Sequence, residues 1–197
     1  MFTGIVQELG TVAALKPRDA GSRISIRCSS VVRQAREGSS IAVNGVCLTA
    51  LNLNDDSFSA DLAPETLART NLGDLRPGAR VNLESPVTPA TLLSGHIVQG
   101  HVDGTGEVAS LEALGDGNYW LRVRVPAALE RYLVEKGSIA VDGVSLTIAT
   151  LEEGPVAGMA IIPHTFVNTT LATARVGTRL NIEVDVLAKH VEKLLRR

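Results

Sequence analysis

The sequence predicts an all-β protein built as two tandem copies of one small barrel or sandwich, followed by a C-terminal helix. Three observations carry this. Ser40 to Thr49 reads SIAVNGVCLT and Ser138 to Thr147 reads SIAVDGVSLT, so eight of ten positions repeat. Short runs of Val, Ile and Leu alternate with Gly, Asn and Asp turns, as in compact β units. The last stretch, Asp185 to Leu195, instead repeats apolar residues at helical spacing.

Taken in chain order, the first copy opens with Gly4-Ile5-Val6 and Gly10-Thr11-Val12, answered by Gly100-His101-Val102 and Gly106-Glu107-Val108. Ile24-Ser25-Ile26-Arg27-Cys28 alternates as a strand, which places Cys28 with the two isoleucines in a core. Val31 to Glu37 reads as a short helical piece ended by Gly38. Asn44-Gly45 and Asp142-Gly143 then predict two-residue hairpin turns, because both positions of such turns need positive φ. The turn fixes the pairs Val43 with Val46, Ala42 with Cys47, Ile41 with Leu48 and Ser40 with Thr49. One face therefore carries Ile41, Val43, Val46 and Leu48 for a core, and the other Ser40, Ala42, Cys47 and Thr49. The second hairpin repeats this small face with Ser138, Ala140, Ser145 and Thr147. A solvent-facing strand more often carries long charged side chains. Small groups with hydroxyls leave room for a flat ligand and can bond a neutral heterocycle or a polyol.

Pro64-Glu65-Thr66 answers Pro163-His164-Thr165, and Gly78-Ala79-Arg80-Val81-Asn82-Leu83-Glu84 answers Gly177-Thr178-Arg179-Leu180-Asn181-Ile182-Glu183. The offset drifts only from 96 to 99, so two domains are expected, divided near Ser85 to Gly95 where Pro86 and Pro89 interrupt regular structure. We set the boundaries at 1–95, 96–186 and a terminal helix 187–197. A second helical piece is expected at Ala127 to Lys136, ended by Gly137. In the last helix, Leu187, Val191, Leu194 and Leu195 share a face that must cover its own barrel or another copy of the chain. Asp185 suits the N-cap of that helix.

Composition excludes several classes. The net charge is -2 and the pI near 6.1, and Arg196-Arg197 is the only basic run, so no nucleic-acid surface is expected. Cys28 and Cys47 form neither a disulfide framework nor a metal spacing, and His96 and His101 are five apart in an extended stretch. Gly100 to Gly106 lacks the spacing of a dinucleotide or phosphate loop. No apolar run reaches membrane length, and a reducing cytoplasm is the expected compartment. Residue chemistry alone reaches a duplicated β-barrel with two similar, non-identical small-molecule sites.

The ordered set of motifs resembles the riboflavin synthase family over essentially the whole chain. It comprises Met1-Phe2-Thr3-Gly4-Ile5-Val6, Val43-Asn44-Gly45-Val46-Cys47-Leu48-Thr49, Glu65-Thr66-Leu67 with Thr70-Asn71-Leu72-Gly73, and Gly95-His96 with Gly100-His101-Val102-Asp103-Gly104. It continues with Val141 to Thr147, Ile162-Pro163-His164-Thr165 and Asn181-Ile182-Glu183-Val184-Asp185. The resemblance implies two six-stranded Greek-key barrels, a C-terminal helix used in a homotrimer, and one 6,7-dimethyl-8-ribityllumazine per barrel. The implied reaction is a cofactor-free, metal-free transferase step, in which two lumazines dismutate to riboflavin and 5-amino-6-(D-ribitylamino)uracil. Lumazine synthase is an implied further partner. The competing reading is a non-catalytic lumazine- or flavin-binding protein.

By resemblance, the first ligand lies along Gly4, Ile5, Val6, Cys47, Leu48, Thr49, Asp61, Leu62, Ala63, Pro64, Glu65 and Thr66. The second lies along Gly100, His101, Val102, Lys136, Ser145, Leu146, Thr147, Ala160, Ile161, Ile162, Pro163, His164 and Thr165. Ser145 and Asp185, with His101, are expected to handle protons or activate a nucleophile in the second barrel, while Cys47 and Ser40 polarise or orient the other molecule. Cys47 stands opposite Ser145 in the repeat, and Pro86 opposite Asp185. Such differences allow one site to hold a donor and the other an acceptor. Two departures from the family pattern are the apolar, Pro-containing stretch Ser85 to Ser94 and His190, where a tyrosine is usual.

Overall fold

The computed structural model describes residues 1–195; Arg196 and Arg197 lie outside the described residues. In the first half, strands β1 (Glu8–Arg18) and β2 (Gly21–Arg27) form a hairpin, followed by helix α1 (Ser30–Gln34). The NG hairpin is β3 (Ser40–Val43) and β4 (Val46–Thr49). Next come β5 (Leu51–Asn54), β6 (Ser57–Leu62), helix α2 (Pro64–Arg69) and β7 (Arg80–Glu84). The second half repeats the series as β8 (Gly104–Gly115), β9 (Asn118–Arg124), β10 (Ser138–Val141), β11 (Val144–Thr147), β12 (Thr150–Glu152), β13 (Val156–Ile161), helix α3 (Pro163–Val167) and β14 (Arg179–Val184). Helix α4 (Val186–Leu195) ends the described chain.

Each half is a seven-stranded antiparallel sheet with matching order, β4-β3-β7-β1-β2-β6-β5 and β11-β10-β14-β8-β9-β13-β12. The chain leaves β2 and crosses beyond β1 and β7 to start β3, a Greek-key path. Only Ala50 separates β4 from β5, although these strands stand at opposite ends of the sheet order. They act as one bent strand that brings the two edges together, so the six-stranded barrel expected by resemblance is recovered when β4 and β5 are taken as one. Closure of this kind removes exposed strand edges.

Hairpin register follows the turn chemistry. Asn44 and Gly45 have φ of 45° and 76°, Asp142 and Gly143 44° and 76°. The expected pairs Val43–Val46, Ala42–Cys47, Ile41–Leu48 and Ser40–Thr49 all form, as do their counterparts. Ile41, Val43, Val46 and Leu48 enter one core together with Cys28, Ile24 and Ile26. Ile139, Val141, Val144 and Leu146 enter the other. Ala127–Tyr132 winds as a 3-10 turn, tighter and shorter than the helix expected to Lys136, because Leu133 is already extended.

The two hairpins meet tip to tip. A Cβ on Gly45 would lie 2.6 Å from the Gly143 nitrogen, and the reverse holds equally. Around this contact the side-chain amides tie one half to the other: Asn82 Nδ2 donates to the Asp142 carbonyl at 2.9 Å, and Asn181 Nδ2 donates to the Asn44 carbonyl at 2.8 Å. Equivalent residues making equivalent bonds in both directions describe a local two-fold relation between the halves.

At the C-terminus, Asp185 caps α4 by accepting from the Leu187 N–H at 2.9 Å, as expected. Polar contacts hold the helix: Tyr132 Oη donates to Glu192, Arg131 pairs with Glu192, and Lys189 Nζ with Asp103. Of the two coverings foreseen for its apolar face, the chain's own barrel is not used. Leu187, Val191 and Leu195 are exposed beside Val134, and Leu194 is exposed as well.

Candidate functional site

The middle of each small face is covered rather than open to a flat ligand, and there the structure corrects the sequence reading, while Thr49 and Thr147 at the ends stay exposed and Cys47 half-buried. Ala42 and Ala140 are buried beneath Phe2 and Val98, which form one cluster with them. Phe2 and Val98 belong to two extended segments that bridge each other, Phe2 N–H to Val98 O at 2.6 Å and Val98 N–H to Phe2 O at 3.1 Å. The small residues make room for backbone.

These two segments exchange barrels. The Ser145 N–H donates to the Gly4 carbonyl at 2.7 Å, and the Cys47 N–H donates to the Gly100 carbonyl at 2.9 Å. Gly4 and Gly100 have φ of 76° and 81°, and a Cβ on either would fall within 2.6 Å of the facing side chain, so both the approach and the turn require glycine. Val6 packs on the second core and Val102 on the first. Each chain then returns to its own sheet, through Gln7 N–H to Leu83 O and Asp103 N–H to Ile182 O, both at 2.9 Å. The expectation that grouped Gly4, Ile5 and Val6 with Cys47, and Gly100, His101 and Val102 with Ser145, is therefore reversed in space.

A buried carboxylate holds each segment. Glu84 accepts from the Thr3 N–H and hydroxyl, each at 2.7 Å, and from the Gly4 N–H at 3.0 Å. Its counterpart Glu183 accepts from the Gln99 N–H at 2.6 Å and the Gly100 N–H at 3.0 Å. Burial raises the pKa of both carboxyls, against the pull of these donors.

Two grooves result. The first, about 470 Å³, is lined by Val46, Cys47, Glu65, Thr66, Arg69, Thr70 and Gly100 to Asp103. It brings together Cys47, Glu65, Thr66, Gly100, His101 and Val102 from the expected residues, and Glu65 is tied to Arg69 at 2.8 Å. The second, about 350 Å³, is lined by Val6, Gln7, Glu8, Leu9, Arg80, His164 and Asn168. Here the equivalents of Glu65 and Arg69 are His164 and Asn168, so the ion pair of the first groove is missing. His101, expected to act in the second barrel, lines the first groove with Cys47.

The remaining expected residues divide by exposure. Leu48, Leu62, Leu146 and Ile161 have their side chains in the cores, which leaves their backbone alone to meet a ligand. Ile5, Thr49, Thr147, Ala160, Ile162, Pro163 and His164 are exposed, and Ser40 and Thr165 half-buried. Pro64 and Pro163 occupy the first turns of α2 and α3. Asp61 is committed to Arg18 and Arg23 at 2.9 and 2.7 Å, which lowers its carboxyl to about 2. With Ala63 it borders a shallow recess beside Arg18. Lys136 Nζ donates to the Ala149 carbonyl at 3.0 Å.

One residue was missed. His96 is buried, and its Nδ1 lies 2.7 Å from Ser145 Oγ. Burial lowers its pKa, outweighing the nearby Asp185 charge that raises it. Ser145 and Asp185 thus share His96 as a neighbour. Only the quoted Gly95-His96 motif marked it; the contact itself spans 49 residues of sequence.

Comparison with known proteins gives these features a context. The family model for the lumazine binding domain matches residues 3–86 and again 99–185. The chain is 51% identical to a riboflavin synthase of Mycobacterium bovis, covering 100% of this chain and 98% of that one. It is 44% identical to a riboflavin synthase of Photobacterium phosphoreum (99% and 89% covered) and 40% identical to one of Bacillus subtilis (100% and 91%). Among solved structures, LumP complexed with 6,7-dimethyl-8-(1'-D-ribityl) lumazine superposes with a TM-score of 0.84 at 23% identity, covering 93% of this chain and 99% of that one. That likeness concerns the fold. With both halves matched by the domain model and the whole length shared with these relatives, the chain belongs to the riboflavin synthase family of tandem lumazine-binding domains.

Proposed function

We propose that this chain is a riboflavin synthase, a transferase that moves a four-carbon unit between two molecules of 6,7-dimethyl-8-ribityllumazine and releases riboflavin and 5-amino-6-(D-ribitylamino)uracil. The observation that carries this reading is the full-length identity of 40–51% with riboflavin synthases, coupled to two similar but unequal grooves. A dismutation needs one molecule as donor and one as acceptor. Cys47 against Ser145, and the Glu65–Arg69 pair against His164 and Asn168, supply the difference.

One lumazine lies in the groove of Cys47, Thr66 and His101, the other in that of Val6, His164 and the neighbouring Ser145 to Thr147 edge. The first groove combines the hairpin of the first barrel with the segment preceding the first strand of the second, and the second groove combines the segment and first strand of the first barrel with α3 of the second. Reaction begins with loss of a proton from the C7 methyl of one ring, made acidic by delocalisation. Holding two rings in register supplies the larger part of the rate, about 7–11 kcal/mol. Acid–base help from Ser145, Asp185, His101, Cys47 and Ser40 adds roughly 10² to 10⁴-fold. Two backbone segments stand between Cys47 and Ser145 within one chain. As the family resemblance implies, the paired rings come from grooves of neighbouring copies in a homotrimer, with the exposed face of α4 as the surface proposed to join them. The working units are 1–95, 96–186 and the stretch 187–197, of which the helix is described to Leu195. The two free cysteines suit a cytoplasmic protein, which cell fractionation checks; among the described residues no helix is long and apolar enough to cross a membrane. Co-sedimentation with lumazine synthase tests that partner.

Incubating the purified chain with the lumazine alone, and following absorbance and fluorescence, is the direct test. Catalytic riboflavin, one for every two lumazines and without added cofactor, is expected. Tight binding with an unchanged spectrum leaves the lumazine carrier instead.

A further inference from the structure

Of the four histidines only His96 is buried, and its hydrogen bonding determines what Ser145 can do. His101, His164 and His190 are exposed. Burial lowers the pKa of the His96 ring and so favours its neutral form, which has one N–H and one lone pair to place. Its Nδ1 is 2.7 Å from Ser145 Oγ. Its Nε2 is buried and meets no hydrogen-bonding group among the described residues.

Two arrangements satisfy the Nδ1–Oγ contact. With the proton on Nε2, Ser145 donates its hydroxyl to Nδ1, and an N–H is left orphaned in the interior. With the proton on Nδ1, the ring donates to Ser145 Oγ, and the orphan is only a lone pair. Buried donors without a partner are rarer than under-satisfied acceptors, so the second arrangement is the one this pocket supports.

We infer that His96 carries its proton on Nδ1 and, as a positioning residue, turns the Ser145 hydroxyl outward as a hydrogen-bond donor toward an acceptor atom of the bound ring, a carbonyl oxygen or an unprotonated ring nitrogen. Among the described residues the Ser145 hydroxyl meets no hydrogen-bonding partner other than His96, so its own proton is uncommitted. A serine activated as a nucleophile needs a neighbour that takes its proton, and a ring protonated at Nδ1 cannot do that. Of the two roles expected for Ser145, proton handling remains, in the form of hydrogen-bond donation, and nucleophile activation falls away. The identity of the ligand rests on the function proposed above; the tautomer does not.

The test has two arms. Two-bond proton–nitrogen correlation spectra of the full chain labelled with ¹⁵N-histidine, near neutral pH, are expected to show one neutral ring protonated on Nδ1, assigned to His96 by its loss in His96→Asn. A ring protonated on Nε2, or a cation, overturns the inference in the wild-type protein, where folding is not in question. In the second arm, His96→Ala is expected to lose about tenfold in riboflavin formation, the worth of one hydrogen bond, and to match Ser145→Ala. His96→Asn, whose short amide offers an N–H near the former Nδ1, is expected to rescue most of that loss. Equal losses in His96→Asn and His96→Ala overturn the positioning role. Failure of the wild type to make riboflavin defeats the proposed function while the tautomer result stands.

Discussion

Asp142 offers a measurement whose outcome follows from burial alone. It occupies the hairpin turn where the first copy has Asn44, and it is buried at the junction of the two halves. Its Oδ1 accepts from the Asn181 N–H at 2.7 Å and from Asn71 Nδ2 at 3.0 Å. Asn44 Oδ1 accepts from the Asn82 N–H at 2.8 Å in the equivalent place. Desolvation raises the Asp142 carboxyl from 3.8 to about 7, against the lowering effect of its donors. A raised acid binds its proton more tightly folded than unfolded. Its contribution is therefore fully present below the unfolded pKa near 4 and is lost as pH rises through about 7. Between about pH 5 and about pH 8 the loss is about 3 kcal/mol, at about 1.4 kcal/mol per pH unit up to the folded value. Asp142→Asn keeps the Oδ1 acceptor and has no charge to bury. Urea unfolding followed by circular dichroism at the two pH values is expected to show the variant gaining about 3 kcal/mol on the wild type between them. Glu84 and Glu183, also raised, are common to both proteins and cancel. Parallel pH dependence in wild type and variant would refute the assignment of a buried proton to this hairpin.

Two further outcomes follow from the same geometry. Removing either segment-holding carboxylate, Glu84→Ala or Glu183→Ala, leaves buried donors without acceptors and is expected to cost about 3 kcal/mol in urea unfolding; a midpoint indistinguishable from wild type would mean that the segments are held by packing alone. If the proposed homotrimer forms through α4, replacing Leu187 and Val191 on its exposed face by Ser shifts the protein toward monomer in sedimentation velocity without loss of folded signal, and an unchanged sedimentation coefficient would refute that role of the face.

Much of this architecture was legible because short-range chemistry decides it. Asn44-Gly45 and Asp142-Gly143 determine a turn, the turn determines a register, and the period of two then sorts Ile41 and Val43 from Ala42 and Cys47. Asp185 was legible as a cap for the same reason, since the bond it makes reaches only two residues. Ala127 to Lys136 was less so, because apolar spacing over one or two turns does not separate a 3-10 turn from an α-helix.

The exchange of segments was not legible, and the duplication itself explains why. Gly4-Ile5-Val6 and Gly100-His101-Val102 are near copies, and so are the hairpin edges at Cys47 and Ser145. Any pattern that lets Gly4 lie beside Cys47 lets it lie beside Ser145 equally well, so local sequence is degenerate between the exchanged and unexchanged pairings. What separates them is three-dimensional. Glu84, at the end of β7, anchors Thr3 and Gly4 where they reach the opposite hairpin, and Glu183 does the same for Gln99 and Gly100. The small residues at 42 and 140 were misread for a related reason: room beside a strand looks the same whether a ligand or a backbone fills it. The exchange also makes each groove a product of both copies, so a substitution in either half alters the surroundings of the other's hairpin. This coupling gives Cys47 and Ser145 different neighbours, Gly100 for the one and Gly4 with His96 for the other, so the two halves of the duplicated barrel are not interchangeable.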